Sequence, residues 1–156
     1  MREGIGSIAL YNIIIVFITI TFAILAGTMS YSKAFKANNR IINAIEKYEG
    51  YNENSAQSIN DYLFSIGYQT DTKNSCKSRR GVQPMDDLNP DFWFCVYAKS
   101  EETKAYNGQY VKFGVVTYIY IDMPIIGDYL RIPVYGESNR VFCFWDKCSN
   151  YFDTIE

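Results

Sequence analysis

A chain of 156 residues with no histidine, 15 Lys/Arg against 17 Asp/Glu and four cysteines is bounded first by what it lacks. Without histidine there is no Ser-His-Asp or Cys-His nucleophile, and zinc loses its commonest ligand. The formal charge is +2 through Glu49 and −4 beyond it, which leaves no basic face for nucleic acid. The carboxylates are scattered through polar stretches, so no catalytic residue, metal or cofactor is expected and the chain is not read as an enzyme.

The first element in chain order is Ile8–Gly27 (IALYNIIIVFITITFAILAG), apolar on every face, with Asn12 its one strongly polar member. Twenty helical residues cover about 30 Å, the thickness of a bilayer's hydrocarbon core. Thr19, Thr21 and Thr28 can return hydrogen bonds to the helix's own carbonyls. Two other readings compete. A buried core helix is opposed by the all-round apolarity. A cleaved secretory signal is opposed by the length of the run and by a helical pattern that continues through Ala26-Gly27-Thr28. Orientation draws on opposed rules. Lys33, Lys36 and Arg40 follow the span and only Arg2 precedes it, which would put the following domain in the cytoplasm. Four cysteines in a small domain fit an oxidising exterior, and large domains cross regardless of charge. The expected arrangement is a single pass with the N-terminus cytoplasmic and the head extracytoplasmic.

After Met29 the pattern becomes one-sided. Phe35, Ile41, Ile42, Ile45 and Tyr48 recur at three- and four-residue spacing, with Lys33, Lys36, Asn39, Arg40, Glu46 and Lys47 filling most of the other face, and this predicts an amphipathic helix. Nothing breaks it before Gly50, the expected C-cap. A second helix is predicted over Ser55–Ile66, capped by Asn54 with Gln57 three residues on, and ended by Gly67. Thr70–Pro90 is polar and should be mostly loop.

Four strands are predicted next. Phe92–Lys99 is aromatic and is followed by an Asn107-Gly108 turn signal. Tyr110–Met123 alternates clearly, with Val111, Phe113, Val115, Thr117, Ile119 and Ile121 on one face and Tyr110, Lys112, Tyr118, Tyr120 and Asp122 on the other. Tyr129–Tyr135 contains Pro133, which suggests an edge or a bulge, and Val141–Trp145 is a candidate fourth strand. The fold class is therefore α+β: a long N-terminal transmembrane and amphipathic helix packed on a small antiparallel sheet. Residues 1–28 form the leader and membrane helix, 29–50 the stalk and 51–156 the head.

Cys76, Cys95, Cys143 and Cys148 allow three pairings. Cys76–Cys95 with Cys143–Cys148 is the favoured set, and the rival bridges Cys76 to the C-terminal segment. A Cys₄ zinc site is opposed by the spacing, since Cys76 and Cys95 are far apart and the close pair is C-x₄-C. A thioredoxin-like site would need C-x-x-C. Asp86, Asp87 and Asp91 lack the spacing of an EF-hand loop and read as a solvated acidic loop. Lys77, Arg79 and Arg80 read as a solvated basic one. Tyr118 and Tyr120 offer either a contact surface or a cover for the sheet.

Two stretches carry a resemblance to a family. Met1-Arg2-Glu3-Gly4-Ile5-Gly6, followed by Ser7-Ile8-Ala9-Leu10-Tyr11, and the hairpin-like Val115–Arg140 (VVTYIYIDMP, then LRIPVYGESNR) resemble type IV pilin-like proteins, most of all the minor pseudopilins of tight-adherence (Tad) pili. The resemblance implies a pilin-like fold and a structural role in a pilus or secretion apparatus. It implies a leader cut between Gly6 and Ser7. It also implies partners in the membrane, namely other pilin-like subunits or assembly proteins, copies of this chain among them. Family members carry a Glu five residues into the mature helix to neutralise an incoming subunit's terminal amine; here that position is Tyr11, and no acid occurs between Glu3 and Glu46. The alternative is a membrane-anchored extracytoplasmic binding or sensory module.

Overall fold

One α-helix, α1 (Arg2–Lys47), takes in both the apolar run and the amphipathic stretch without a break. The computed structural model describes residues 2–68, 76, 84–85, 94–105, 107–120 and 131–144. After α1 come α2 (Glu53–Ser65) and strands β1 (Phe94–Ala105), β2 (Gly108–Tyr120), β3 (Arg131–Glu137) and β4 (Val141–Phe144). The second half of α1 lies on a four-stranded antiparallel sheet, and α2 packs beside it. This is the expected α+β arrangement, a long helix on a small disulfide-linked sheet.

α1 stops in a Schellman turn: the N–H of Gly50 reaches the carbonyl of Ile45 at 2.9 Å and that of Glu49 reaches Glu46 at 3.3 Å. The expected cap is thus displaced by one residue. Glu49 takes the left-handed position (φ 55°), and Gly50 (φ 145°) follows it. A branched-off Cβ is strained there, and a carboxylate beside a helix C-terminus faces the negative end of the dipole. Glu49→Gly is therefore expected to raise stability by about 0.5–1 kcal/mol, read as a higher urea midpoint. An unchanged midpoint would show that Glu49 makes an offsetting contact.

The N-cap of α2 is Asn52, not Asn54. The Ser55 N–H donates to Asn52 Oδ1 (3.0 Å) and the Asn52 N–H donates to Ser55 Oγ (2.8 Å). A serine does the work that a Glu or Gln usually does in a capping box, so the helix starts earlier than the S/T/N-x-x-E/Q pattern suggests. Gly67 (φ 59°) ends it as expected, with Tyr68 N–H on the carbonyl of Leu63 at 2.9 Å.

β2 is the central strand. Its predicted inner face is the observed one: Val111, Phe113, Val115, Thr117 and Ile119 are all buried. β1 pairs along one side and extends six residues past the expected Lys99, because register slips between Ser100 and Lys104 let a charged stretch without alternation continue the ladder. On the other side β3 pairs with Gly114–Tyr120 and β4 with Gly108–Val111. β3 and β4 together form one edge row. Between them Ser138–Arg140 oppose Lys112 and Phe113, a bulge of one residue. Ser138 fills the break, its N–H donating to the carbonyl of Phe113 (2.8 Å) and its Oγ accepting from the Phe113 N–H (2.9 Å). The two-residue hairpin turn carries Asn107, and Gly108 already belongs to β2.

Pro133 sits in the edge row, as its missing N–H requires, opposite Tyr118. The backbone of Tyr118 turns instead to Tyr68, whose hydroxyl accepts from the Tyr118 N–H (3.0 Å) and donates to its carbonyl (3.2 Å). Burial, and secondarily the neighbouring Tyr118, push the Tyr68 phenol up from 10.0 to about 12, against a lowering by its backbone hydrogen bond. The folded chain holds a proton that the unfolded chain releases above pH 10. Stability from this group is complete below pH 10 and should fall by about 1.4 kcal/mol per pH unit between pH 10 and 12. Alkaline unfolding of Tyr68→Phe should lack that component, and equal pH slopes for the two proteins would refute it.

Thr70–Pro90, expected to be mostly loop, meets the sheet at two described points. Cys76 is bonded to Cys95 with Cα atoms 5.8 Å apart. Pro84 bridges Tyr97, and the Met85 N–H donates to Val96 O at 2.8 Å. These contacts cover part of the open edge of β1, where an unpaired strand would invite association.

Candidate functional site: an apolar helix and its junction with the head

The apolar half of α1 is uncovered. From Leu10 to Met29 its large side chains are exposed, Phe17 and Phe22 by 70% and 68%, and none of its most apolar stretch is buried in the protein. This removes the core-helix reading, since a core helix hides such residues. The helix is long and apolar enough to cross a membrane, consistent with a single-pass anchor. Thr19, Thr21 and Thr28 donate to the carbonyls of Ile15, Phe17 and Leu25 at 2.8, 2.8 and 2.9 Å, which satisfies their hydroxyls within the helix. Asn12 lies on this exposed surface. The helix passes straight through Ala26–Thr28.

From Ala34 onward the same helix becomes the core of the head. Its buried stripe is Ala34, Ala37, Asn38, Ile41, Ala44 and Ile45, a three- and four-residue recurrence. The expected stripe is corrected at one end: Phe35 is 48% exposed and stacks on Tyr31 at the stripe's flank. Small residues, not aromatics, face the sheet, and they let it approach closely.

Asn38 holds the junction. It is 2% exposed, and the two hydrogens of its Nδ2 are shared among Val115 O (3.2 Å), Val134 O (3.1 Å) and Thr117 Oγ1 (3.3 Å). Thr117 Oγ1 donates in turn to Ala34 O at 3.2 Å. One amide thus ties α1 to the seam of β2 and β3. Further along, Glu46 Oε1 accepts from the Asn139 N–H (2.7 Å) and holds the bulge to the helix end. The apolar span and the sheet are therefore coupled at both ends of the stalk. A polar residue inside an otherwise apolar helical stripe is the signal in the sequence that points to Asn38.

At the far end of the stalk an open groove of about 440 Å³ is lined by Glu46, Glu49, Asn139, Arg140, Val141, Phe142 and Phe144. Tyr110 and Phe144 both pack edge-on against Phe142, at 5.2 and 5.0 Å. With Glu46 engaged by Asn139, the groove presents aromatic edges and a few charges.

Of the residues singled out in the sequence, Cys76 and Cys95 form the favoured disulfide. Cys143 is also disulfide-bonded, while Cys148 lies outside the described residues. A Cys₄ zinc site is ruled out by that pairing, and among the described residues no group of three or more His, Cys, Asp or Glu side chains is placed to hold a metal. Gly6 and Ser7 lie in the first turns of α1. Tyr118 is half-buried at the Tyr68 contact. The side chain of Tyr120, together with Asp86, Asp87, Asp91, Lys77, Arg79, Arg80, Ile121 and Asp122, lies outside the described residues. No family model, curated protein or solved structure matches the chain.

Proposed function

We propose that the chain is a pilin-like structural subunit of a bacterial type IV or Tad-type pilus or secretion apparatus, with its N-terminus cytoplasmic and its head extracytoplasmic. The observation that carries this reading is the single helix Arg2–Lys47, uncovered and apolar in its first half and the core of the head in its second. An anchor alone needs only an apolar span and can be joined to its domain by any linker. A helix shared between membrane and core makes the two one rigid piece, so packing of the span against neighbouring helices sets the position of the head. The role is structural and involves no catalysis. The apolar half stores the subunit in the bilayer, and the head makes protein contacts.

The test replaces Ile8–Gly27 with an unrelated apolar span of equal length in the full chain. Both proteins should enter the membrane, and only the native span should co-purify with pilus components. Equal co-purification would favour the second reading, a membrane-anchored binding or sensory module. Tyr11 at the position of the family's Glu and the open aromatic groove support that alternative. Intact mass of the protein from its native membrane separates them further. A chain beginning at Ser7 with all four cysteines oxidised supports the pilin-like reading; four free thiols would place the head in a reducing compartment and remove it.

A further inference from the structure

We propose that Lys33 and Lys36 form a collar that binds the phosphate head groups of anionic phospholipids in the leaflet on the head's side. The inference rests on Ile8–Gly27 being a membrane span. Lys33 and Lys36 follow Gly27 by six and nine residues, so their Cα atoms lie roughly 9 and 13 Å beyond it at about 1.5 Å per residue. α1 is unbroken there, so that height is fixed. Side chains on a helix lean toward its N-terminus, which here is the membrane side. The long apolar stem of lysine lets the ammonium reach back along the helix, bringing it into a head-group layer roughly 5–7 Å thick on each side of the hydrocarbon.

Both lysines are exposed, and among the described residues neither is engaged in a hydrogen bond or ion pair. α1 carries no carboxylate between Glu3 and Glu46 to neutralise them. Arg40, next on the same stripe, is differently used: its guanidinium lies over the Tyr62 ring at 5.5 Å, turned to α2. On the opposite side of the helix at the same height, Tyr31 and Phe35 stack with centroids 6.2 Å apart and are exposed by 54% and 48%. An amphipathic tyrosine at that level suits the membrane–water boundary. The head begins at this same level, where Thr117 grips the Ala34 carbonyl. Its hold on α1 fixes which side of the helix the ammonium groups occupy. Two cations with no partner among the described residues, rigidly placed at phosphate height, match negative head groups in charge and depth.

The experiment reconstitutes the full chain in phosphatidylcholine nanodiscs containing a minor fraction of phosphatidylglycerol. Lipids retained by the protein are then measured for the wild type, for Lys33→Gln/Lys36→Gln and for Lys47→Gln. Phosphatidylglycerol should be enriched around the wild type and around Lys47→Gln, fall by roughly tenfold in the double variant, and weaken with salt. A wild type that inserts without enriching phosphatidylglycerol, or a double variant that retains as much of it, overturns the collar and leaves the membrane span standing. A chain that can be stripped from the bilayer by alkaline carbonate overturns the span and the collar with it.

Discussion

Gly136→Ala is expected to destabilise the head by about 3 kcal/mol. A Cβ on Gly136 would land on Asn38 Oδ1 and within 2.6 Å of Ile42 Cδ1. Side-chain ends often swing aside, but this one is held. Asn38 is buried, and its amide spans Val115, Thr117 and Val134. Moving it parts a buried amide from its acceptors, at about 1–3 kcal/mol, and forcing a methyl into a packed interface adds a similar amount. Gly114→Ala is the matched control: on the same sheet its Cβ would meet only Tyr97 atoms at 3.9 Å, an ordinary contact, and stability should stay within about 0.5 kcal/mol of wild type. The check is urea unfolding of the full chain in detergent micelles, followed by near-UV circular dichroism. In an Asn38→Ala background the penalty of Gly136→Ala should shrink by at least about 1 kcal/mol, because the nearer of the two obstacles is gone and Ile42 alone remains. Full additivity would show that Asn38 does not hold the junction.

Removing the Cys76–Cys95 bridge should lower stability by about 3 kcal/mol. The bond closes a loop with a sequence separation of 19, and the chain-entropy relation gives roughly 3 kcal/mol for a loop of that size. The variant to use is Cys76→Ala/Cys95→Ala, since a single substitution would strand an unpaired thiol. Freed from the bridge, the segment holding Pro84 and Met85 is held, among the described residues, by its backbone contacts to β1 and by the packing of Met85 on the core. The Met85 amide, bonded to Val96 O, should therefore exchange with solvent faster than in the wild type. Unfolding at the same urea concentration as the wild type would show that the bridge spans residues already held together by packing.

The parts of the fold legible in the sequence are those with a local signal. Ile8–Gly27 announces its exposure by being apolar on every side, and β2 announces its buried face by alternation from Val111 to Ile119. Gly67 marks a helix end because its left-handed backbone suits a residue without Cβ. Other signals misled for equally local reasons. Asn54 resembles the start of a capping box through Gln57, but Asn52 and Ser55 form the box instead. Phe35 is apolar at nearly the right spacing, yet it falls on the flank of the stripe set by Ala34, Ala37, Asn38 and Ile41, and stays exposed. β1 outruns its aromatic segment because its ladder with β2 resumes at Lys104 and Ala105 after a register shift, which its own side-chain pattern does not announce.

The junction could not be read this way. Asn38 meets partners 77, 79 and 96 residues distant, Tyr68 meets one 50 residues distant, and Gly136 matters only because Asn38 and Ile42 stand over it. Composition and periodicity are enough to establish an exposed apolar span, a helical stalk and a strand with one buried face, because burial of apolar surface imposes its period on consecutive residues. Which polar group may be buried, which glycine cannot change and where the helix grips the sheet were settled by the folded chain alone. They depend on pairs of distant residues brought to hydrogen-bonding distance, and no run of neighbours along the chain encodes such a pair.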